Sequence, residues 1–157
     1  MKLSGKKIEG PNEETIVIPR GEGQIVLKAR AILDYSEFEA LVPAPKAPTI
    51  THVGGEVSED IKDKDFLKLR EDYAAKRFRW IILKSLEATP ELEWETIKMN
   101  DPATWENLEK ELTSSGFSVP EVGLIYSGAM AANTLDGDKI KEAKTRFFNM
   151  ARRGQQV

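Results

Sequence analysis

The sequence predicts an α+β chain dominated by helix, with an N-terminal β-hairpin followed by four to five helices. Three observations carry this expectation. Two β-branched runs, TIVIP at 15–19 and QIVLKARAI at 24–32, flank a glycine-containing loop. From residue 63 onward, apolar residues recur mainly at helical spacing. That stretch also carries helix starts at Asp101-Pro102 and at Ser118 with Glu121, and a stop at Gly116.

A length of 157 residues suits one domain, and 40% apolar residues can build a modest core. A net charge of −3 with no clustered basic face gives no reason to expect a nucleic-acid partner. The absence of cysteine excludes disulfides, thiolate zinc sites and a cysteine nucleophile, and it fits a reducing cytoplasm. The first residues carry lysines without a following apolar run, so no secretory signal is expected there. The apolar cluster Trp80–Leu83 is far shorter than the roughly 20 residues a membrane span requires. A soluble intracellular protein with no membrane partner is expected.

Residues 1–14 are polar, with Gly10-Pro11-Asn12 interrupting any pattern, and read as a flexible lead. Residues 15–42 form the next unit. Its hairpin turns at Arg20-Gly21-Glu22-Gly23, and its second strand sets Ile25, Leu27, Ala29 and Ala31 against Val26, Lys28, Arg30 and Ile32. A short helix over 35–42 follows, with Asp34 as cap and Phe38, Leu41 and Val42 on one side. Residues 43–62 read as a linker loop. Its prolines at 43, 45 and 48 favour an extended spacer or a docking motif for a polyproline reader, and Gly54-Gly55 lies further on.

Residues 63–153 read as the helical domain. The longest helix is expected over 63–87, with Phe66, Leu69, Tyr73 and Trp80 on one stripe and Leu67, Ala74, Phe78, Ile81 and Ile82 on its neighbour. Thr89-Pro90 ends it. Leu92, Trp94, Thr96 and Lys98 alternate with Glu91, Glu93, Glu95 and Ile97, which suits a short extended segment. The helix opened by Asp101-Pro102 sets Trp105, Leu108 and Leu112 on one side. In the helix after Ser118, Val122, Ile125, Ala129 and Ala132 share a face, and Gly123, Ser127, Gly128 and Ala129 let a neighbour approach closely. That small-residue face fits a tight internal helix crossing or a groove for a foreign amphipathic helix. A turn at Leu135-Asp136-Gly137-Asp138 leads to a last helix. There Ile140, Ala143, Phe147, Met150 and Ala151 point inward and Lys141, Lys144, Arg152 and Arg153 outward. Residues 154–157 are expected to fray.

Catalytic and cofactor signatures are missing. His52 is the single histidine and lies in the least patterned stretch, which reads as a solvated loop position. Neither GxxxxGK[ST] nor GxGxxG occurs, and the 135–138 turn lacks the spacing of a calcium loop. Glu91, Glu93, Glu95, Asp101, Glu106, Glu109 and Glu111 crowd one segment. Such a cluster is a solvated face, a carboxylate site for acid–base chemistry on Glu91, Glu93 and Asp101, or an acidic surface for a basic partner such as another copy's 139–153 helix. No cofactor and no metal are expected.

Four stretches together resemble the tail assembly chaperones of long-tailed bacteriophages. They are VIPRGEGQIVLKARAIL at 17–33, FEALVPAPKAP at 38–48 with Gly54-Gly55, RWIILKSLEATPELEWETIKMNDPATWENLEKELTSSGFSVPEV at 79–122 and NTLDGDKIKEAKTRFF at 133–148. The resemblance implies a non-enzymatic protein of the host cytoplasm. It would bind the tape measure protein, help recruit tail tube protein and have no active site, and a frameshift-extended form is common in the family. Trp105, Leu108, Leu112, Ile125 and Ala129 are then expected to line or support the partner-binding groove, with self-association as a further contact. The alternative is a structural subunit of the virion, a tail or head-completion protein using the hairpin for subunit contacts.

Overall fold

The computed structural model describes residues 1–134 and 137–154. It has the α+β, mostly helical architecture expected, with three separate antiparallel ribbons and five α-helices among those residues. The first ribbon corrects the flexible lead. β1 (Lys2–Leu3) pairs with β2 (Lys6–Lys7). Ser4 and Gly5 at φ +51° and +78° form the two-residue turn with positive φ that matches strand twist.

β3 (Glu13–Arg20) and β4 (Gly23–Arg30) form the expected hairpin, with Ile16 opposite Leu27 and Ile18 opposite Ile25. Its loop is two residues, shorter than the four expected, because Arg20 pairs with Gly23 and Gly21 takes φ +55°. Ile16, Ile18, Leu27 and Ala29 are buried on one face, while Val17 and Val26 lie opposite each other on the exposed one. Thr89 closes part of the outer edge of β4. Its hydroxyl accepts from the Lys28 N–H and donates to the Lys28 carbonyl, both at 2.9 Å.

α1 (Ser36–Leu41) follows, with the Asp34 carboxylate accepting from the Ser36 N–H at 2.8 Å. The 43–62 segment carries a small exposed ribbon, β5 (Thr49–Thr51) with β6 (Val57–Glu59), where a structureless linker was expected. Residues opposed in a short ribbon show little hydrophobic alternation when neither face is buried, which hides it from pattern reading.

α2 (Lys64–Leu86) starts at Asp63, whose carboxylate accepts from the Phe66 N–H at 2.8 Å. Its burial covers only part of the two expected apolar stripes. Only Trp80, Ile81, Ile82, Leu83, Ser85 and Leu86 are buried, and Leu67, Leu69 and Phe78 remain exposed. The last two turns of α2 meet the core, Tyr73 packs against it two turns before Trp80, and the turns that precede Tyr73 extend past it.

Residues 91–98 form no strand, correcting the extended segment. A strand needs backbone partners alongside it. Here the Glu111 carboxylate takes the Glu95 and Thr96 N–H groups and the Thr96 hydroxyl instead. Leu92, Trp94, Ile97 and Met99 turn toward the core, breaking the alternation. A 3₁₀ turn at Pro102–Asn107, capped by Asp101 through the Ala103 N–H, runs into α3 (Leu108–Ser114). Gly116, at φ +100°, ends α3 with Phe117 N–H on the Leu112 carbonyl and Gly116 N–H on that of Thr113.

α4 (Val119–Asn133) lies across both strands of the main hairpin and against α2 and α3. Val122, Ile125, Ala129 and Ala132 form its buried face, as the spacing predicts. Its end ties three elements together. The Asn133 side chain donates to Ser85 Oγ and the Ala129 carbonyl at 2.7 Å each, and it accepts from the Ile32 N–H at 2.8 Å.

α5 (Gly137–Gly154) contradicts its expected packing. None of its residues is buried, and Ile140, Phe147 and Met150, expected inward, are exposed. The Lys139 ammonium pairs with Glu14 on β3. Residues 135 and 136 of the expected turn, and 155–157 of the expected frayed tail, lie outside the described residues, and Gly154 is still helical.

Candidate interaction surface

The five residues expected at a binding groove are all interior. Trp105, Leu108, Ile125 and Ala129 have no exposed area and Leu112 has 5%. Of the two expected roles, lining or supporting a groove, burial leaves Trp105, Leu108, Ile125 and Ala129 only the second, and Leu112 reaches a small depression beside Trp94 and Phe117. Trp105 illustrates why. Its indole N–H donates to the Lys98 carbonyl at 3.1 Å, and its ring stacks on Phe38 with centroids 6.2 Å apart. Phe38 also meets Tyr73 and Trp80 at 5.5 Å each, which makes it the hub of the aromatic core. Sequence reading placed Phe38 on the inner side of α1 without this role, since one short helix gives no sign of what converges on it.

At Gly128 the small-residue stripe of α4 meets a strand, and the same helix packs against α2. A Cβ on Gly128 would lie 2.3 Å from Ile16 Cγ1 on β3. Gly123, five residues earlier and exposed, faces open space. The glycine at 128 is there for close contact with the hairpin.

The acidic segment does not assemble a carboxylate site. Glu91, Glu93, Glu95 and Asp101 are exposed, and Asp101 is engaged as the cap of the 3₁₀ turn. Among the described residues no group of three or more His, Asp or Glu side chains is placed to hold a metal ion. Partial burial pushes the Glu111 carboxyl up. The hydrogen bonds from Thr96 and from the Glu95 and Thr96 amides outweigh it, so the net shift is downward. His52 Nε2 lies 2.6 Å from Ser58 Oγ on the exposed β5–β6 ribbon, with both groups in solvent.

One charged contact, Arg20 with Glu121, fastens the hairpin to the start of α4. The Arg20 guanidinium holds both Glu121 carboxylate oxygens, donates to the Gly116 carbonyl at 3.1 Å and sits 5.5 Å from the centre of the Phe117 ring. Glu121 also accepts from the Ser118 N–H at 2.8 Å, one arm of the expected capping box. The Arg20 hydrogen bonds, followed by that from Ser118, pull the Glu121 carboxyl from its ordinary 4.5 to about 2. A carboxyl lowered in the folded state stabilises it above the unfolded value, and that contribution disappears as pH falls from 4.5 toward 2. Urea melts across this window should therefore show a smaller acid loss for Glu121→Gln than for the parent chain. Parallel pH profiles would remove the assignment.

Three exposed features remain as surfaces. The outer half of α2 carries Leu67 and Leu69, the latter 54% exposed. α5 is exposed along its whole length. Between α3 and α4 runs a groove of about 310 Å³ lined by Glu109, Thr113, Val119, Val122, Gly123 and Tyr126. Burial, together with Glu109 nearby, raises the Tyr126 hydroxyl to about 12, with Arg79 opposing, so Tyr126 stays neutral there. Its ring meets Phe78 edge-on at 5.4 Å. A depression of about 390 Å³ between the end of β4, α1 and α2 is lined partly by Glu37, Lys84 and Glu87. Lys84 pairs with Glu37 at 2.9 Å and with Glu87 at 3.1 Å.

Comparison of the chain with family models, curated proteins and solved structures found no match. Among the described residues no helix is long and apolar enough to cross a membrane.

Proposed function

We propose that the chain is a non-enzymatic tail assembly chaperone of a long-tailed bacteriophage, working in the host cytoplasm. It binds the tape measure protein and assists assembly of the tail tube. The sequence resemblance supplies the family. The observation that carries the physical case is α2, whose outer turns expose Leu67 and Leu69 beyond the core. A helix with uncovered apolar positions can lie along another amphipathic helix and shield it from water. Contacts of this size are weak singly, and many copies along one long helical protein hold it through avidity.

Leu69 is exposed, so Leu69→Asp should leave the fold intact while impairing that contact. Co-expressed tape measure protein is expected to stay soluble with the parent chain and to fall to the level of the no-chaperone control with Leu69→Asp. Equal solubility with both would remove α2 from the role. Equal solubility with and without any copy of the chain would remove the role itself. The exposed Val17–Val26 pair of the hairpin favours a second reading, a virion subunit that contacts its neighbours through that face. Purified virions separate the two: a subunit is retained at fixed stoichiometry, whereas a chaperone is absent.

A further inference from the structure

α5 is a complete amphipathic helix that the described fold leaves unused. Ile140, Ala143, Phe147, Met150 and Ala151 recur every three or four residues on one face, and every residue from Gly137 to Gly154 is exposed. Lys144 borders that face on one side and Arg146 on the other. The helix holds six Lys or Arg against two Asp or Glu. Pairing two α5 helices by their apolar faces would bring these basic borders together, a like-charge arrangement that opposes docking. The occupant that suits α5 therefore has an apolar floor and an acidic rim.

The α3–α4 groove has both properties. Its floor is Val122, Gly123 and Tyr126, its open end is Val119 at 79% exposure, and Glu109 stands on its lip. The segment from Glu91 to Glu121 holds eight Asp or Glu against two Lys. Arg20 occupies Glu121 and backbone amides occupy Glu111, while Glu109 on the lip and Glu106, one turn before it in a neighbouring depression shared with Lys76 and Arg79, are exposed and join no ion pair among the described residues. Arg79 is the cation felt at Tyr126. At Gly123 a side chain would project into open space, so a foreign helix can approach the α4 backbone there.

We propose that the apolar face of α5 docks in the α3–α4 groove of a second copy of this chain, with Lys144 and Arg146 set toward Glu106 and Glu109. The contact does not depend on the chaperone reading, and its test involves no tape measure protein, so either can fail alone. An α5 exposed throughout is not laid back on its own α4, and its start is tied to β3 by the Lys139–Glu14 pair.

Analytical ultracentrifugation of the full chain over a concentration series tests the contact, with circular dichroism confirming that each variant is folded. The parent chain is expected to associate. Gly123→Leu fills the floor without an internal clash, and Phe147→Asp charges the docking face, so each should yield a folded monomer. Reversing Lys144 and Arg146 to Glu should weaken association on the order of tenfold, and adding Glu106→Lys and Glu109→Lys should restore it. The proposal is overturned by a parent chain that is monomeric throughout, or by Gly123→Leu associating as the parent does. It is equally overturned by a monomer whose α5 amides are protected from exchange, which means docking within one chain. A monomer that sediments with phosphatidylglycerol vesicles would overturn it too, by giving α5 to a lipid surface.

Discussion

Trp105→Ala is expected to lower the unfolding free energy by about 3–5 kcal/mol, the usual loss for a large aromatic removed from a packed interior. Three elements depend on this side chain. The indole is fully buried, it stacks on Phe38 of α1, and its N–H holds the Lys98 carbonyl that ends the looped 91–98 segment. Truncation leaves a cavity and takes one donor from that carbonyl, which keeps the Asp101 N–H at 3.1 Å. Domains of this size are stable by only about 5–15 kcal/mol, so the variant should show a much lower urea midpoint. Trp105→Phe retains the ring contact and loses the N–H, so its loss should be well under half as large. A Trp105→Ala chain as stable as the parent would mean that the aromatic cluster contributes little to the fold.

The second large effect compares two glycines of one helix. Gly→Ala at an exposed helical position ordinarily gains up to about 1 kcal/mol from propensity alone. Gly123→Ala should show that gain, because its new methyl meets nothing. At Gly128 the methyl would lie 2.3 Å from Ile16 Cγ1 and 2.5 Å from its Cδ1. Ile16 is β-branched and buried, so its χ1 has little freedom to yield. Overpacking of this kind costs about 1–3 kcal/mol, so Gly128→Ala should destabilise where its neighbour stabilises. The helix and the substitution are the same, so the difference in melting temperature isolates contact with the hairpin. Two shifts of the same sign would show that β3 does not press on α4.

Signals that act within a few residues were legible in the sequence. Asp101, Glu121 and Gly116 sit at the helix ends where their chemistry predicts, because a cap needs only nearby backbone groups. The spacing of Val122, Ile125, Ala129 and Ala132 marked the inner face of α4 for the same reason. Periodicity establishes that a helix has an apolar side, but what covers that side is a tertiary fact. The stripe on α5 read as inward, and α2 as carrying two apolar stripes along its length, although each lacks a covering neighbour for much of its extent. The candidate site failed in the opposite sense: the strongest apolar positions, Trp105 and Ile125 among them, became the core. The alternation at 91–98 was a real pattern, but a single carboxylate, Glu111, replaced the second strand that the pattern would have needed.

The Thr89 hydroxyl bound to both backbone groups of Lys28 bears on how this molecule can grow. A neighbour seeking to prolong the ribbon past β4 finds that border already engaged at Lys28, near the end of the strand. On the opposite border, Pro19 offers no amide hydrogen near the turn. Strand addition to this hairpin is thus hindered at Lys28 on one border and at Pro19 on the other.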